Sequence, residues 1–341
     1  MGDAVILCYH RVGEQPPADP FGLLTRYGLY VEVGRFQRQM EHLARRYRVV
    51  PIDELVASLG HADRGPSLAA VTFDDGYADN YLQAFPVLQR VGIPATVFLA
   101  TGTVGRDAAF WWDRLVWHLS RHAGGRLSLP PSLGGPDTAL DSAEQVLRVF
   151  DALHRRLQTL EGPVRDSLLD AMAGEVVPGS SRPVTWDEVR RMSTAGITFG
   201  AHSVSHPSLV ALSDAALRSE IERSRDEIVA RLGTVSTTFS YPFGDVDDRA
   251  ANAVEAAGFR AAVTVRQAFC NATSSRYLLP RLGIGNLDSS EFLGALRRGR
   301  RAAHASPHAA RTSALLTRLV PSPIRAARRY LRRIWRNRAH A

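Results

Sequence analysis

Short, almost wholly apolar runs alternate with amphipathic segments along most of the chain. Runs that are typical of strands buried on both faces occupy 4–10, 67–76, 93–101, 197–203, 237–244, 259–265 and 278–285. Helical spacing of apolar residues predicts helices over 33–47, 80–92, 186–196, 213–233, 246–257 and 289–299, and 49–59 reads as a short strand and helix. Buried strands that alternate with helices form parallel sheets covered by helices, so the pattern predicts an α/β fold. About seven strand–helix units favour a closed, barrel-like sheet over an open one.

The alternation lapses between residues 102 and 182. This stretch contains an aromatic-rich segment at 110–119, a loop-like segment at 126–136 and two predicted helices within 143–173. Such an insertion either covers a site as a lid or packs on the outside of the scaffold, and the sequence leaves both interpretations open. We therefore predict a catalytic domain over 1–300 that contains the insertion.

Polar residues that suit chemistry follow several of the predicted strands. In barrel-like parallel folds, functional groups gather where the carboxyl ends of strands meet loops. The residues in question are His10, Asp74–Asp75, His202–His206 and Tyr241–Gly244. Adjacent carboxylates such as Asp74 and Asp75 raise each other's proton affinity. Asp-Gly is also a common turn, and Asp75 could simply cap the next helix.

The spacing of His202 and His206 is the strongest indication of a metal. Pro207 and the preceding strand-like run favour a tight loop, in which both imidazoles could face one ion. Two histidines and one carboxylate with open positions are a ligand set for a catalytic metal, although a single His more often fills a structural role. Because one carboxylate cannot easily bind the metal and also take a proton from its water, the second aspartate would be the base.

Three motifs in order, TFDDG, HSVSHP and FSYPFG, resemble those of the polysaccharide deacetylases, carbohydrate esterase family 4. The resemblance covers roughly Ala4 to Arg298. It implies a distorted (β/α)7 barrel and a divalent metal, with zinc as the expected ion. It also implies Asp74 as the catalytic base and three metal ligands, which are Asp75, His202 and His206.

The third motif departs from the family pattern. Ser240 stands where the family usually has an arginine that orients the base, and Arg281, at another predicted strand end, is a candidate replacement. A surface arginine or an ordinary salt bridge is the alternative for Arg281. Phe243 stands where tyrosine is common; its backbone N–H is expected to hold the oxyanion, with Tyr241 beside it on the substrate side.

The expected general acid is at the other end of the chain. No late Leu-x-His motif is found, and the opening CYHRV resembles a subgroup that acts on β-1,6-linked or other bacterial exopolysaccharide amino sugars. In that subgroup the acid histidine lies near the N-terminus, which implies His10. The alternative is a structural histidine that bonds the loop.

The resemblance implies hydrolysis of the N-acetyl group of an amino sugar in a glycan or lipid-linked saccharide. A deformylase or deacylase of another aminosugar or small amide and a non-catalytic glycan-binding relative are the alternatives. A pure binder would have no need of the second aspartate. A glycosidase is disfavoured because adjacent carboxylates cannot easily flank one bond at the ~5–9.5 Å that such chemistry requires.

Charge is distributed unevenly. From 296 to the C-terminus the chain carries 13 Arg and no acidic residue, so the overall net charge of +8 leaves 1–295 at −5. Within the predicted tail, 301–341, an apolar stripe faces arginines in a helical pattern; it consists of Ile324, Ala327, Leu331, Ile334 and Trp335. The pattern predicts an amphipathic helix on an anionic membrane surface. Packing on the barrel and a disordered tail remain open, and no motif for specific nucleic-acid binding accompanies the charge.

The lengths of the apolar runs and the contexts of the cysteines predict the cellular compartment and the state of the thiols. No apolar run reaches the roughly 18–20 residues needed to cross a bilayer, and the first residues do not resemble a signal peptide. We therefore expect a cytoplasmic protein, peripheral on a membrane if the tail binds one. Cys8 and Cys270 lie in strand-like contexts and are predicted to be buried thiols rather than a disulfide.

Overall fold

A computed structural model of the chain describes residues 3–14, 28–59, 67–133, 138–173 and 182–304. The strands are β1 Val5–Tyr9, β2 Arg11–Gly13, β3 Tyr30–Glu32, β4 Arg48–Val49, β5 Leu68–Phe73, β6 Ala95–Leu99, β7 Arg126–Leu127, β8 Thr138–Ala139, β9 Thr198–Ala201, β10 Thr238–Ser240, β11 Ala261–Val263 and β12 Leu282–Gly283. The helices are α1 Val33–Arg46, α2 Ile52–Ser58, α3 Phe85–Val91, α4 Trp111–Arg121, α5 Ala143–Leu157, α6 Gly162–Ala173, α7 Trp186–Thr194, α8 Asp214–Leu232, α9 Asp248–Ala256 and α10 Ser289–Ala303.

The central sheet is parallel, as the apolar strand pattern predicts. Its order is β12-β1-β5-β6-β9, with β4 paired to one end of β5. β10 and β11 form a separate parallel pair, and a parallel bridge joins Val263 to Leu279 just before β12. Because β1, β5 and β9 run in the same direction, the residues that follow them lie on the same side of the sheet.

Strand β12 is much shorter than the predicted run 278–285. Pro280 has no N–H to give to a ladder. The N–H of Arg281 donates to the carbonyl of Arg266 instead of to a neighbouring strand. Regular pairing with β1 therefore begins only at Leu282, and Arg281 lies at the start of its strand rather than at the end.

Local signals set the helix ends. The Ser213 side chain accepts a hydrogen bond from the Ala216 N–H at the start of α8, which ends at left-handed Gly233. The single helix predicted over 80–92 is instead a π-helical turn over Asn80–Ala84 followed by α3. Pro86 explains the break, because a proline inside a helix removes one backbone hydrogen bond.

The insertion has a hydrophobic core of its own. Side chains of α4, α5 and α6 form it, and α5 and α6 are the two helices predicted within 143–173. Tyr77 and Ala100, which follow β5 and β6, belong to the same cluster. The insertion is thus packed against the part of the sheet where the functional residues are expected.

Three smaller predictions concern the cysteines, membrane-spanning helices and the tail. Cys8 and Cys270 are both buried free thiols, as predicted. Over the described ranges, no helix has both the length and the apolar character that crossing a bilayer requires. The predicted tail helix lies outside the described residues.

Candidate metal centre

The turn after β5 aims the carboxylate of Asp75. Asp75 has φ 74° and Gly76 φ 85°, so two successive residues are left-handed. A Cβ at Gly76 would lie 2.6 Å from the Leu99 side chain, which leaves room only for glycine. The Asp-Gly pair is therefore a turn, and this turn brings the Asp75 carboxylate into the interior, where Oδ1 is buried without a hydrogen-bond partner among the described residues.

The loop after β9 carries the two histidines. His202 follows the strand directly, and Ser203 and His206 have φ 65° and 56°. The His206 N–H donates to Ser203 Oγ at 3.0 Å. The Glu220 carboxylate accepts the N–H groups of Val204 and Ser205 at 2.7 and 2.8 Å. The segment is the tight loop that the sequence predicts, not a helix.

Three donor atoms from these two loops converge. Asp75 Oδ1 lies 3.6 Å from His202 Nε2 and 3.4 Å from His206 Nε2, and one donor atom of each residue lies within 4.8 Å of the other two. Ligands ~2.0–2.1 Å from a tetrahedral zinc would be about 3.3 Å apart. The two nitrogens and one oxygen fit a divalent cation of the zinc type.

Protonation states favour the same interpretation. His202 Nδ1 lies 2.7 Å from the Ser240 carbonyl and donates to it, so Nε2 is the atom left for a metal. Burial lowers the pKa of His202 and of His206, so both rings are neutral at neutral pH. Burial and the neighbouring Asp74 raise the pKa of Asp75 well above its usual value. A bound cation would offset the cost of ionising Asp75.

Asp74 is held by Arg281. The guanidinium Nη1 donates to Asp74 Oδ1 at 2.7 Å and Nη2 donates to Oδ2 at 2.6 Å, and both side chains are buried. Burial alone would raise the pKa of Asp74, but the charge of Arg281 outweighs it and holds this pKa well below the usual range. The structure thus places Arg281 on the predicted base and not on the surface.

His10 lies beside Asp74. One donor atom of each of Cys8, His10 and Asp74 lies within 4.8 Å of the other two. Because the positively charged Arg281 is paired with Asp74, its charge opposes the binding of a cation at this second group. Burial lowers the pKa of His10 to about 4, so the ring is neutral at neutral pH. Its backbone carbonyl accepts a hydrogen bond of 2.7 Å from Asn80 Nδ2, which fixes the residue at the end of β1.

Phe243 and Tyr241 of the third motif have side chains in different surroundings. Phe243 is left-handed, with φ 59°, and its ring centroid lies 4.5 Å from that of His206. The Tyr241 side chain is in the main core, where it packs on Phe239 at 5.5 Å. The structure therefore brings Phe243 to the histidine loop, whereas the Tyr241 side chain, expected on the substrate side, is buried in the core.

Backbone strain is concentrated at these loops. Within the described ranges, the non-glycine residues with positive φ are Asp75, Ser203, His206 and Phe243. Non-glycine residues with positive φ are strained, and they keep this conformation only where their surroundings hold them. Such strain is common at functional sites. All four belong to the three loops that the sequence motifs mark.

Two residues of the insertion contact the histidine loop, and the sequence predicted neither contact. The Trp112 ring lies 4.6 Å from the His206 ring. Arg165, on α6, donates from Nη1 to the His206 carbonyl at 3.3 Å and from Nη2 to the Ser205 carbonyl. The aromatic run at 110–119 indicates a buried helix but not its neighbour, and nothing in the pattern around Arg165 separates it from a surface arginine.

Comparison with known proteins gives the family and the fold that this chain resembles. The family model described as polysaccharide deacetylase matches residues 61–262. The putative polysaccharide deacetylase YxkH of Bacillus subtilis strain 168 is 21% identical over 235 residues, which are 68% of this chain and 58% of YxkH. The chain thus matches less than two thirds of that relative's length.

Two solved structures share the fold. The Streptococcus pyogenes deacetylase PplD, in complex with acetate, superposes with a TM-score of 0.59 at 18% identity, covering 86% of this chain and 98% of PplD. A de-N-acetylase from Aggregatibacter actinomycetemcomitans gives a TM-score of 0.54 at 16% identity, covering 86% of this chain and 100% of that one. At these identities the likeness concerns the fold.

Proposed function

Because the chain belongs to the polysaccharide deacetylase family, we propose that it is a metal-dependent hydrolase that removes the N-acetyl group from an amino sugar of a glycan or lipid-linked saccharide. One observation carries the proposal: Asp75 Oδ1 meets the Nε2 atoms of His202 and His206 while Asp74 stays outside this group, paired with Arg281. A ligand set and a separate carboxylate are what metal-assisted hydrolysis of an amide uses, the first to hold the cation and the second to take a proton from its water.

Asp75, His202 and His206 would hold the cation, with zinc as the expected ion. When bound, such a cation supplies a Lewis acid and a water of lowered pKa. Asp74 is ionised at neutral pH and accepts the proton of the attacking water, while Arg281 fixes the orientation of its carboxylate. The backbone N–H of Phe243 is assigned to the developing oxyanion.

His10 is assigned to protonation of the leaving amine. Its pKa of about 4 means that the free site holds a neutral imidazole, so the proton has to arrive during the reaction. A ring nitrogen of His10 and a carboxylate oxygen of Asp74 lie within 4.8 Å, so one water between them would relay the proton taken by Asp74 to His10. His10 then gives it to the amine nitrogen as the C–N bond breaks.

Three finer features belong to the same proposal. The position of His10 beside Asp74 supports membership of the subgroup that carries its acid near the N-terminus. The β10–β11 pair and the bridge to Leu279 lie between β9 and β12, which supports closure of the sheet into a ring of seven parallel strands. Attachment to an anionic membrane through 324–338 stays a prediction from the sequence.

Asp74→Asn is the decisive variant. It should retain zinc, because Asp74 is not in the ligand group, and should release acetate at least about 100-fold more slowly than the unaltered protein. Zinc content is measured by elemental analysis, and acetate release is measured on a panel of N-acetylated glycans and of lipid-linked and nucleotide-linked sugars. Asp187→Asn, at the exposed start of α7, is the matched control and should behave as the unaltered protein.

Two outcomes would count against the proposal. Unchanged acetate release by Asp74→Asn would reject Asp74 as the base. Zinc-loaded protein that binds the glycans but releases acetate from none of the panel would favour a glycan-binding protein.

A further inference from the structure

Among the described residues of the insertion that contact the histidine loop are four that lie beyond its first turn, Trp112, Gln158, Gly162 and Arg165, which we call the clamp. Given the proposed function, we propose that the clamp holds His206 in position for the metal, so that the insertion is part of the metal centre and Arg165 is a positioning residue. The contacts come from α4 on one side and from the α5–α6 turn and α6 on the other.

Arg165 supplies the charged part of the clamp. Its side chain is buried, with 2% of the residue exposed, and its two terminal nitrogens donate to consecutive carbonyls of the loop, those of Ser205 and His206. The guanidinium stacks over the Trp111 ring at 4.9 Å. Burial lowers the pKa of Arg165 to about 10, so it is charged at neutral pH. A buried charge in two hydrogen bonds fixes its acceptors more firmly than a neutral donor would.

Backbone contacts from the α5–α6 turn add to this grip. The Ser208 N–H donates to the Gln158 carbonyl at 2.7 Å. A Cβ at Gly162 would lie 2.6 Å from Ser205 Cβ, so this close approach depends on glycine. The loop is therefore held by the insertion on one side and by the Glu220 carboxylate on the other.

Trp112 restrains the His206 ring itself. The two ring centroids are 4.6 Å apart. The indole is fixed in turn, because its Nε1–H donates to Tyr77 Oη at 2.6 Å and Tyr77 donates to Asp113 Oδ2 at 3.0 Å. The ring of a metal ligand is thus packed by a side chain that has little freedom to move.

The need for such a clamp follows from the backbone of His206. With φ 56° the residue is strained and keeps this conformation only while its surroundings impose it. If the carbonyls of Ser205 and His206 were released, Nε2 of His206 would sample positions away from Asp75 Oδ1. Loss of groups that orient metal ligands typically weakens metal binding 10–100-fold.

The test uses the full chain with Arg165→Gln and Arg165→Lys. Zinc affinity is measured by competition with a chromophoric chelator, and amide hydrogen exchange of 203–208 is measured on zinc-free protein. Arg165→Gln should weaken zinc binding 10–100-fold and should speed exchange of the Ser208 amide even without metal. Arg165→Lys keeps the charge but not the two terminal nitrogens of the guanidinium. Its zinc affinity and exchange rate should therefore lie between those of Arg165→Gln and of the unaltered protein.

Arg114→Gln is the matched control. Arg114 joins α4 to α6 through Asp170 at 2.6 Å without reaching the histidine loop. It should leave both zinc affinity and the exchange of 203–208 as in the unaltered protein. An equal loss of affinity in Arg114→Gln and Arg165→Gln would mean that general loosening of the insertion is responsible, and would overturn the proposal.

The remaining outcomes distinguish failure of the clamp proposal from failure of the proposed metal centre. Folded Arg165→Gln that binds zinc like the unaltered protein overturns the clamp alone. If His206→Ala binds zinc as tightly as the unaltered protein, the metal centre itself is wrong, and with it the proposed function. Should Arg165→Gln fail to fold, Gly162→Ala decides instead: it pushes on Ser205 from a helix start that tolerates alanine, and normal zinc affinity there overturns the proposal.

Discussion

At the scale of single residues, the Arg281–Asp74 pair is the most demanding feature of the protein. A guanidinium has five N–H donors, and its burial costs least when all of them are satisfied. Here Nε donates to the Thr264 carbonyl, Nη1 to Asp74 and Thr72, and Nη2 to Asp74 and Ser240. All five donors thus have acceptors, which gives the predicted base a fixed orientation.

Replacement of Arg281 should alter both stability and the pH profile. Arg281→Met leaves the Asp74 carboxylate buried without its partner, and we expect a loss of about 3–5 kcal/mol in the free energy of unfolding. The pKa of Asp74 should rise, so the base becomes protonated at higher pH and the acid limb of the turnover profile moves upward. Urea unfolding at neutral pH and acetate release between pH 4 and 9 measure the two effects.

The stabilisation by the Arg281–Asp74 pair depends on pH in a definite direction. Arg281 depresses the pKa of Asp74, so the pair stabilises the protein above the usual aspartate pKa of 3.8 and this contribution is lost as the pH falls toward the folded value. Arg48→Met, which breaks an exposed pair with Glu54, is the control and should change stability by less than ~1 kcal/mol. An acid limb that does not move in Arg281→Met would contradict the assigned role of Arg281.

At the scale of elements, the insertion is joined to the scaffold by aromatic side chains. His154 on α5 lies 5.0 Å from Trp111, 5.3 Å from Phe150 and 5.5 Å from Phe243, measured between ring centroids. Burial in this cluster lowers the pKa of His154 to about 4. The imidazole that packs between the insertion and the third motif is therefore neutral at neutral pH.

His154→Phe should make zinc-free protein less sensitive to acid. The unfolded chain binds a proton at His154 from about pH 6.5 and the folded chain only from about pH 4, so stability is complete above this window and falls as the pH is lowered through it. Removal of this titration should recover at most roughly 3 kcal/mol at pH 4. Urea unfolding at pH 8 gives the reference, and an equal slope with pH in both proteins would contradict the expectation.

At the scale of the whole molecule, the candidate metal centre ties distant parts of the chain together. Asp75 follows β5, the histidines follow β9, and the clamp reaches them from the insertion. A ligand that binds only the folded state raises its stability in proportion to the logarithm of ligand concentration. Metal binding should therefore stabilise the fold as a unit.

A zinc titration of thermal unfolding checks this expectation. Zinc at 100 times its dissociation constant should add about 2.7 kcal/mol to the free energy of unfolding and raise the melting temperature accordingly. His206→Ala should show a much smaller shift, because it removes one of three ligands. Magnesium, which prefers oxygen ligands, should have little effect on either protein. Equal shifts for His206→Ala and the unaltered protein would place the zinc elsewhere.

Local patterns in the sequence determined the order of the main strands and helices, the parallel α/β fold and the positions of the two aspartates and two histidines after strands. These features depend on residues close together in the chain, and parallel strands then bring their carboxyl ends to one side. The seven-unit barrel, the roles of individual site residues and the tail helix stay predictions.

Only the tertiary structure decided the contacts made by long side chains. The sequence left Arg281 between a surface position and the base, and the reach of its guanidinium to Asp74 depends on how β12 is placed beside β1. It also left the insertion undecided, because an amphipathic pattern shows that a helix has a buried face but not which residue covers that face. Trp112 and Arg165 meet His206 through packing between segments far apart in the chain, which no local pattern encodes.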